Sequence, residues 1–340
     1  MKPEISVVLS VFNAEKYLKS CVDSILCQSF HNFELIVIND GSTDNSLNIL
    51  KQYQENDRRI ILVSQSNQGL SSSLNLGIAL SKSEICARID ADDVAENSRL
   101  QKQFNFLNEN PNISVVGSWI KIFGEGCIPR VWKNPLSPSE IYLTLFVKNP
   151  LFHPSVMFRK SRVLAAGGYD SSVPYDQDYD LWLRMSKNGD QFANIPQVLM
   201  HYRIHKEQMG AIFQPNTRID WMHRNIVAAL SRVDVEWDGA TKEKLLELVF
   251  SEKFIRADLV GIDLNFLNNF IEEIVPRLPY WFNKDSINNF IEVRLLNYIK
   301  NATVFEGVKI VYKYKKFRPK YFIAILYGIF KKIKRYKIHY

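Results

Sequence analysis

Two groups of acidic residues are spaced for chemistry. In Asp90-Ala91-Asp92 the carboxylates fall at i and i+2, which on an extended chain face the same side. Two such charges repel unless a cation sits between them, and hard oxygen donors suit Mg²⁺ or Mn²⁺. A carboxylate pair with a bound diphosphate is a usual Mg²⁺ site. The alternative is a solvated acidic turn that caps the next helix, because a bare Asp-x-Asp is common. The second group runs Asp176-Gln177-Asp178-Tyr179-Asp180-Leu181-Trp182-Leu183-Arg184. Asp178, Leu181, Trp182 and Met185 fit helical spacing, so this reads as the start of a helix. Acids there stabilise the helix dipole. One of the three is alternatively a general base, which needs a carboxylate held near an acceptor hydroxyl. His153, His201 and His205 are further candidates. His201 and His205 lie four apart, but no neighbouring Glu completes a zinc-protease pattern.

These residues need elements to position them. Ile5–Phe12, Phe33–Asn39, Ile60–Gln65 and Ile85–Asp90 read as buried strands. Between them lie helical patterns: Leu18, Val22 and Ile25; then Leu47, Leu50 and Tyr53; then Gly69 to Leu80. Strands spaced by helices imply βαβ units and a mainly parallel sheet, doubly wound by right-handed crossovers. Ligands bind such sheets at the carboxyl ends of the strands. Asn13, Asp40, and Asp90 with Asp92 and Asp93 stand at three of those ends. Strand-like runs at Ile113–Phe123 and Ser155–Arg159, without regular helices between them, suggest a mixed extension of the sheet. After about Ile219 long helical patterns take over. The expected organisation is an α/β domain over 1–215, a helical accessory region over 216–305 and a basic tail over 306–340.

Composition narrows the class. The chain has 340 residues, 46% apolar and 23% charged, ordinary for a folded protein and unlike a disordered or fibrous one. The net charge of +7 is concentrated at one end: Gly307 to Tyr340 holds 11 Lys/Arg and no acid, leaving 32 basic and 36 acidic side chains elsewhere. A uniformly basic nucleic-acid binder is distributed differently, and no nucleic-acid partner is expected. Cys21, Cys27, Cys86 and Cys127 form no CxxC pair, which speaks for free thiols and against a zinc ribbon or disulfide framework. The N-terminus lacks a basic n-region, and no stretch has the ~18–20 apolar residues of a membrane span.

Four motifs together, Ile5–Asn13 (ISVVLSVFN), Ile38-Asn39-Asp40-Gly41-Ser42-Thr43-Asp44, Arg88-Ile89-Asp90-Ala91-Asp92-Asp93 and Asp176–Arg184, resemble glycosyltransferase family 2 over roughly residues 3–210. That resemblance implies the GT-A fold, a Rossmann-like α/β sheet, and inverting transfer from a nucleotide sugar. It implies that Asp40 binds the base of the nucleotide, with Val11, Asn13 and Glu15 lining the pocket and Arg88 on the nucleotide-sugar side. Asp90 would lie near the ribose or the metal, and Asp92 would hold a divalent metal, Mn²⁺ or Mg²⁺, on the diphosphate. Asp178 would be the base. His153 and Gln177 would fall in the acceptor region, and His205, in Tyr-Arg-Ile-His, near metal and phosphates. Asn39 and Gln177 stand where the family often has acids. The Gln-x-x-Arg-Trp motif of processive synthases is missing, so one sugar per encounter is expected.

The tail carries Phe322, Leu326, Ile329, Ile333 and Tyr336 on one helical stripe, ringed by Lys331, Lys332, Lys334, Arg335 and Lys337. Aromatic and basic residues on an amphipathic segment suit a membrane surface. The expected setting is cytoplasmic, peripheral on the inner face of the cell membrane. The expected acceptor is a glycan linked to a polyprenyl diphosphate, in surface-polysaccharide assembly. A nucleotidyltransferase should show a Gly-rich phosphate loop after strand one, and Asn13-Ala14-Glu15-Lys16 has no glycine. A non-catalytic nucleotide-sugar-binding protein is the other alternative.

Overall fold

A computed structural model describes residues 2–208 apart from 146 and 147. The boundary near residue 215, the helical region 216–305 and the tail 306–340 lie outside the described residues. Among the described residues no helix is long and apolar enough to cross a membrane.

Four parallel strands form one half of the sheet: β1 (Ile5–Val11), β2 (Phe33–Asp40), β3 (Ile60–Gln65) and β4 (Ile85–Asp90), in the order β3-β2-β1-β4. Their near-continuous apolar sequence follows from burial on both faces. All eight residues of β2 are buried. The crossover helices are α1 (Glu15–Leu26), α2 (Ser46–Asn56) and α3 (Leu70–Leu80). Leu18, Cys21, Val22 and Ile25 form the buried stripe of α1, as the helical spacing requires. Helix α3 packs on the sheet through Gly77, where an added Cβ would stand 2.4 Å from Val8 Cγ1.

The other half is mixed, as the sequence suggests. β8 (Met157–Arg159) pairs antiparallel with β4 and with β6 (Ile113–Gly124). β9 (Gln191–Ile204) runs parallel to β6, the two-residue β5 (Val94–Ala95) pairs antiparallel with β9, and β7 (Arg130–Trp132) pairs antiparallel with β6. β6 and β9 therefore point the same way as β1–β4. Their carboxyl ends reach the same edge as Asn13, Asp40 and Asp90.

Two features depart from the sequence expectations, and a third, helix α4 (Arg99–Glu109), lies where none was stated. The segment between β6 and β8 contains a helix, α5 (Pro138–Thr144), nucleated by a capping box between Ser137 and Glu140. Residues His153–Ser155 form a 3-10 turn, so the strand expected over Ser155–Arg159 begins at Met157. Helix α4 turns Arg99 and Gln103 inward beside Leu100 and Leu107. Arg99 Nη2 donates to the Arg88 and Val156 carbonyls at 2.6 and 3.2 Å, and Gln103 Nε2 to Val116 and Ser155. Two short helices, α6 (Lys160–Ala165) and α7 (Gln177–Lys187), complete the described fold.

Candidate active site

Asp90 ends β4, and Asp92 and Asp93 lie in the turn beyond it. Strand alternation therefore does not bring Asp90 and Asp92 together; the turn does. Ligand oxygens of Asp90, Asp92 and Asp93 all lie within 4.8 Å of one another. Three hard oxygen donors suit Mg²⁺ or Mn²⁺. Asp93 is fully buried, and its Oδ2 has no hydrogen-bond partner among the described residues. Burial first, then the charges of Asp92 and Asp90, hold Asp93 well above the usual carboxylate range. A divalent cation fits this donor set and would relieve that repulsion.

The chain braces the turn from two sides. Arg88, 2% exposed, grips Asp90 with both terminal nitrogens, Nη1 at 2.7 Å from Oδ2. Burial raises the Asp90 pKa, the Arg88 charge opposes it and Asp92 adds to it. On the other side β9 delivers Arg203, whose backbone N–H donates to Asp93 Oδ1 at 2.8 Å and whose Nε donates to the Asp92 carbonyl at 2.8 Å. Its guanidinium lies between the Tyr17 and Phe123 rings, 4.6 and 4.5 Å from their centroids. Just past β9, His205 Nε2 meets Asp92 Oδ2 at 2.9 Å, and its ring lies tilted against that of Tyr17, with centroids 4.8 Å apart. His205 thus bonds to one member of the carboxylate group and stands outside the group itself.

At the ends of β1 and β2 the nucleotide-pocket candidates are stitched to one another. Asn13, at φ +48°, accepts from Thr43 N at 2.8 Å, and its own N–H donates to Ser42 Oγ. Glu15 Oε2 accepts from Asn45 N at 2.8 Å. The Val11 side chain is in the core. Asp40 is 2% exposed and accepts three bonds: Gln65 Nε2 and Gln68 N on Oδ1, both at 2.8 Å, and Gly69 N on Oδ2 at 2.9 Å. It holds the loop that starts α3. Most of its lone-pair capacity is spent within the chain.

The three acids around α7 sort into distinct roles. Asp176 precedes the helix in left-handed conformation, φ +54°, a region that Asp tolerates. Asp180 pairs with Arg184 one turn on, at 2.8 Å. Asp178 is buried, and Asn149 Nδ2 donates to its Oδ2 at 2.6 Å. Burial, with the Asp176 charge adding, pushes Asp178 up to about 6; the Asn149 bond and the Arg88 charge pull the other way. Gln177 beside it is buried.

His153 lies on the loop that carries Asn149. Its Nε2 meets Tyr169 Oη at 2.8 Å, and its ring stands edge-on to Trp182 on α7. Burial and then the Arg88 charge hold its pKa well below the ordinary value, so the ring is neutral. Arg88 thus bears electrostatically on both halves of the site. His201 is elsewhere engaged, with Glu96 beside the β5–β9 edge.

Arg203, Asn149 and Tyr17 are the residues the sequence reading missed. Recognising β9 would have placed Arg203 at the carboxyl end of a strand beside the Asp90–Asp93 turn, with His205 just beyond it. Asn149 carries no sequence signal, because only the folded loop brings it to Asp178.

Comparison with known proteins identifies the family. The family described as glycosyl transferase family 2 matches residues 6–166. An "Uncharacterized glycosyltransferase" of Haemophilus influenzae is 32% identical over 266 residues, covering 74% of this chain and 82% of that protein. The Escherichia coli "UDP-Gal:alpha-D-GlcNAc-diphosphoundecaprenol beta-1,3-galactosyltransferase" is 28% identical over 215 residues, 60% of this chain and 76% of its own. The crystal structure of S. aureus TarS 1-349 in complex with UDP-GlcNAc superposes with a TM-score of 0.59 at 16% identity, covering 90% of this chain and 83% of that one. This chain is a glycosyltransferase of the GT-A fold and belongs to glycosyltransferase family 2.

Proposed function

We propose that this chain transfers one sugar from a nucleotide sugar, a UDP-sugar first among them, to a hydroxyl of a lipid-linked glycan acceptor in surface-polysaccharide assembly, with inversion. The observation that supports this best is Asp178: a buried carboxylate with a pKa near 6, held by one side chain from the loop that also carries His153. Such a group takes a proton near neutral pH and is otherwise ionised. The donor and acceptor classes rest on the E. coli relative, whose name specifies UDP-Gal and a diphosphoundecaprenol-linked acceptor. Membrane docking rests on the basic tail.

Asp178 accepts the acceptor hydroxyl proton as that oxygen bonds to the anomeric carbon. The bond from that carbon to the nucleoside diphosphate breaks on the opposite face, and its electron pair leaves with the diphosphate. Asp90, Asp92 and Asp93 would hold a divalent cation, which supplies charge neutralisation to the leaving diphosphate. Arg203 fixes the turn that carries Asp92 and Asp93. Arg88 restrains Asp90, and neutral His153 with Tyr169 shapes the acceptor side. Asn13, Glu15 and Asp40 fix the loops that would bound the nucleotide.

Melting temperatures against a panel of nucleotides and nucleotide sugars, with Mn²⁺ or with EDTA, test the donor class. Only a ligand that binds the folded chain raises the midpoint. The expected result is a metal-dependent rise with a uridine nucleotide. A panel without any rise contradicts the reading.

A further inference from the structure

Seven large apolar side chains are exposed among the described residues, and four of them, Ile128, Val131, Trp132 and Leu136, lie within nine positions. Trp132 stands apart because it continues the candidate site. It is 45% exposed, and its ring meets Phe152 edge-to-face with centroids 5.5 Å apart. Phe152 precedes His153 on the loop whose Asn149 bonds Asp178. One short loop therefore touches both Trp132 and the candidate base.

We propose that Trp132 is an acceptor subsite, a platform on which a pyranose ring of the acceptor stacks beside the Asp178 side of the cleft. The indole offers a broad, rigid apolar face at low cost in conformational entropy, and the C–H face of a pyranose matches it. The T-shaped contact with Phe152 fixes the ring and leaves nearly half of the residue to solvent. β7 is a three-residue edge strand with all its residues exposed, and Trp132 stands outside the buried core cluster, against whose margin Phe152 packs. This proposal rests on the reading of Asp178 as the base, since that reading defines the acceptor side.

The test uses the full chain and a panel of octyl glycosides and alkyl-diphospho-glycosides of glucose, galactose and N-acetylglucosamine. Saturation-transfer NMR reads binding without turnover, and steady-state kinetics read the panel member that reacts. Trp132→Ala is expected to lose saturation transfer to the acceptor ring protons. It should also raise acceptor KM about tenfold or more, the usual effect of truncating a stacked Trp, with donor KM unchanged. Trp132→Phe should recover most of both. Asp178→Asn serves as the second arm: transfer is lost while acceptor binding stays. An acceptor KM within twofold of wild type for Trp132→Ala, an equal rise in donor KM, or no saturation transfer from wild type to any panel member would overturn the platform. Retained transfer by Asp178→Asn would instead overturn the reading of the base.

Discussion

Replacing Asp178 by Asn is expected to lower kcat by 10²–10⁴-fold and, at the same time, to stabilise the fold. The first effect is the usual contribution of a positioned general base. The second follows from linkage. In the unfolded chain Asp178 ionises near 3.8, and in the folded chain near 6. Between those values the unfolded chain gives up a proton that the folded chain keeps, so stability falls as pH rises through this window and stays lower above it. Asn removes the burdened charge, which stabilises the protein at pH 7.5 on the order of 1–3 kcal/mol. Denaturant titrations at pH 7.5 and pH 4 check this: the gain should be present at the first and nearly gone at the second. Wild-type kcat/KM should fall tenfold per pH unit below about 6. A loss of activity accompanied by a loss of stability would speak against a strained buried base.

Asp92→Asn should be nearly as damaging, lowering turnover 10²–10³-fold, in the range that follows loss of charge stabilisation at a leaving group. Asp92 is only part-buried, and among the described residues the one side chain that tethers its carboxylate is His205, at 2.9 Å. The substitution keeps its size and can keep that bond, so the fold should survive. Mn²⁺ binding followed by electron paramagnetic resonance gives a readout independent of turnover. The expected result is at least tenfold weaker Mn²⁺ binding with an unchanged melting temperature for the ligand-free protein. Unchanged Mn²⁺ affinity would remove Asp92 from the cation site.

The parallel half of the sheet was legible because strands buried on both faces must be written as apolar runs. Ile5–Val11, Phe33–Asp40, Ile60–Gln65 and Ile85–Asp90 came within a residue of their places. Strand ends then put Asn13, Asp40 and the Asp90–Asp93 group at one edge. What could not be read depended on buried polar groups and distant partners. Helix α4 hides Arg99 and Gln103, which break the amphipathic pattern yet are satisfied by carbonyls of β4, β6 and the turn before β8. β9 contains Pro196 and mixed polarity, and its register against β6 shifts near Trp119. The pattern at Asp40 pointed to a ligand role, and only the folded chain adds that this carboxylate also holds Gln65, Gln68 and Gly69. In the Asp176–Asp180 run, spacing predicted the helix, but only burial and the Asn149 contact separate Asp178 from its neighbours.

Single displacement at the anomeric carbon is the central claim, and the proton NMR spectrum of the product tests it most directly. A reaction with an α-linked nucleotide sugar should give a β-linked product, identified by the coupling constant of its anomeric proton. An α-linked product would contradict direct attack assisted by Asp178.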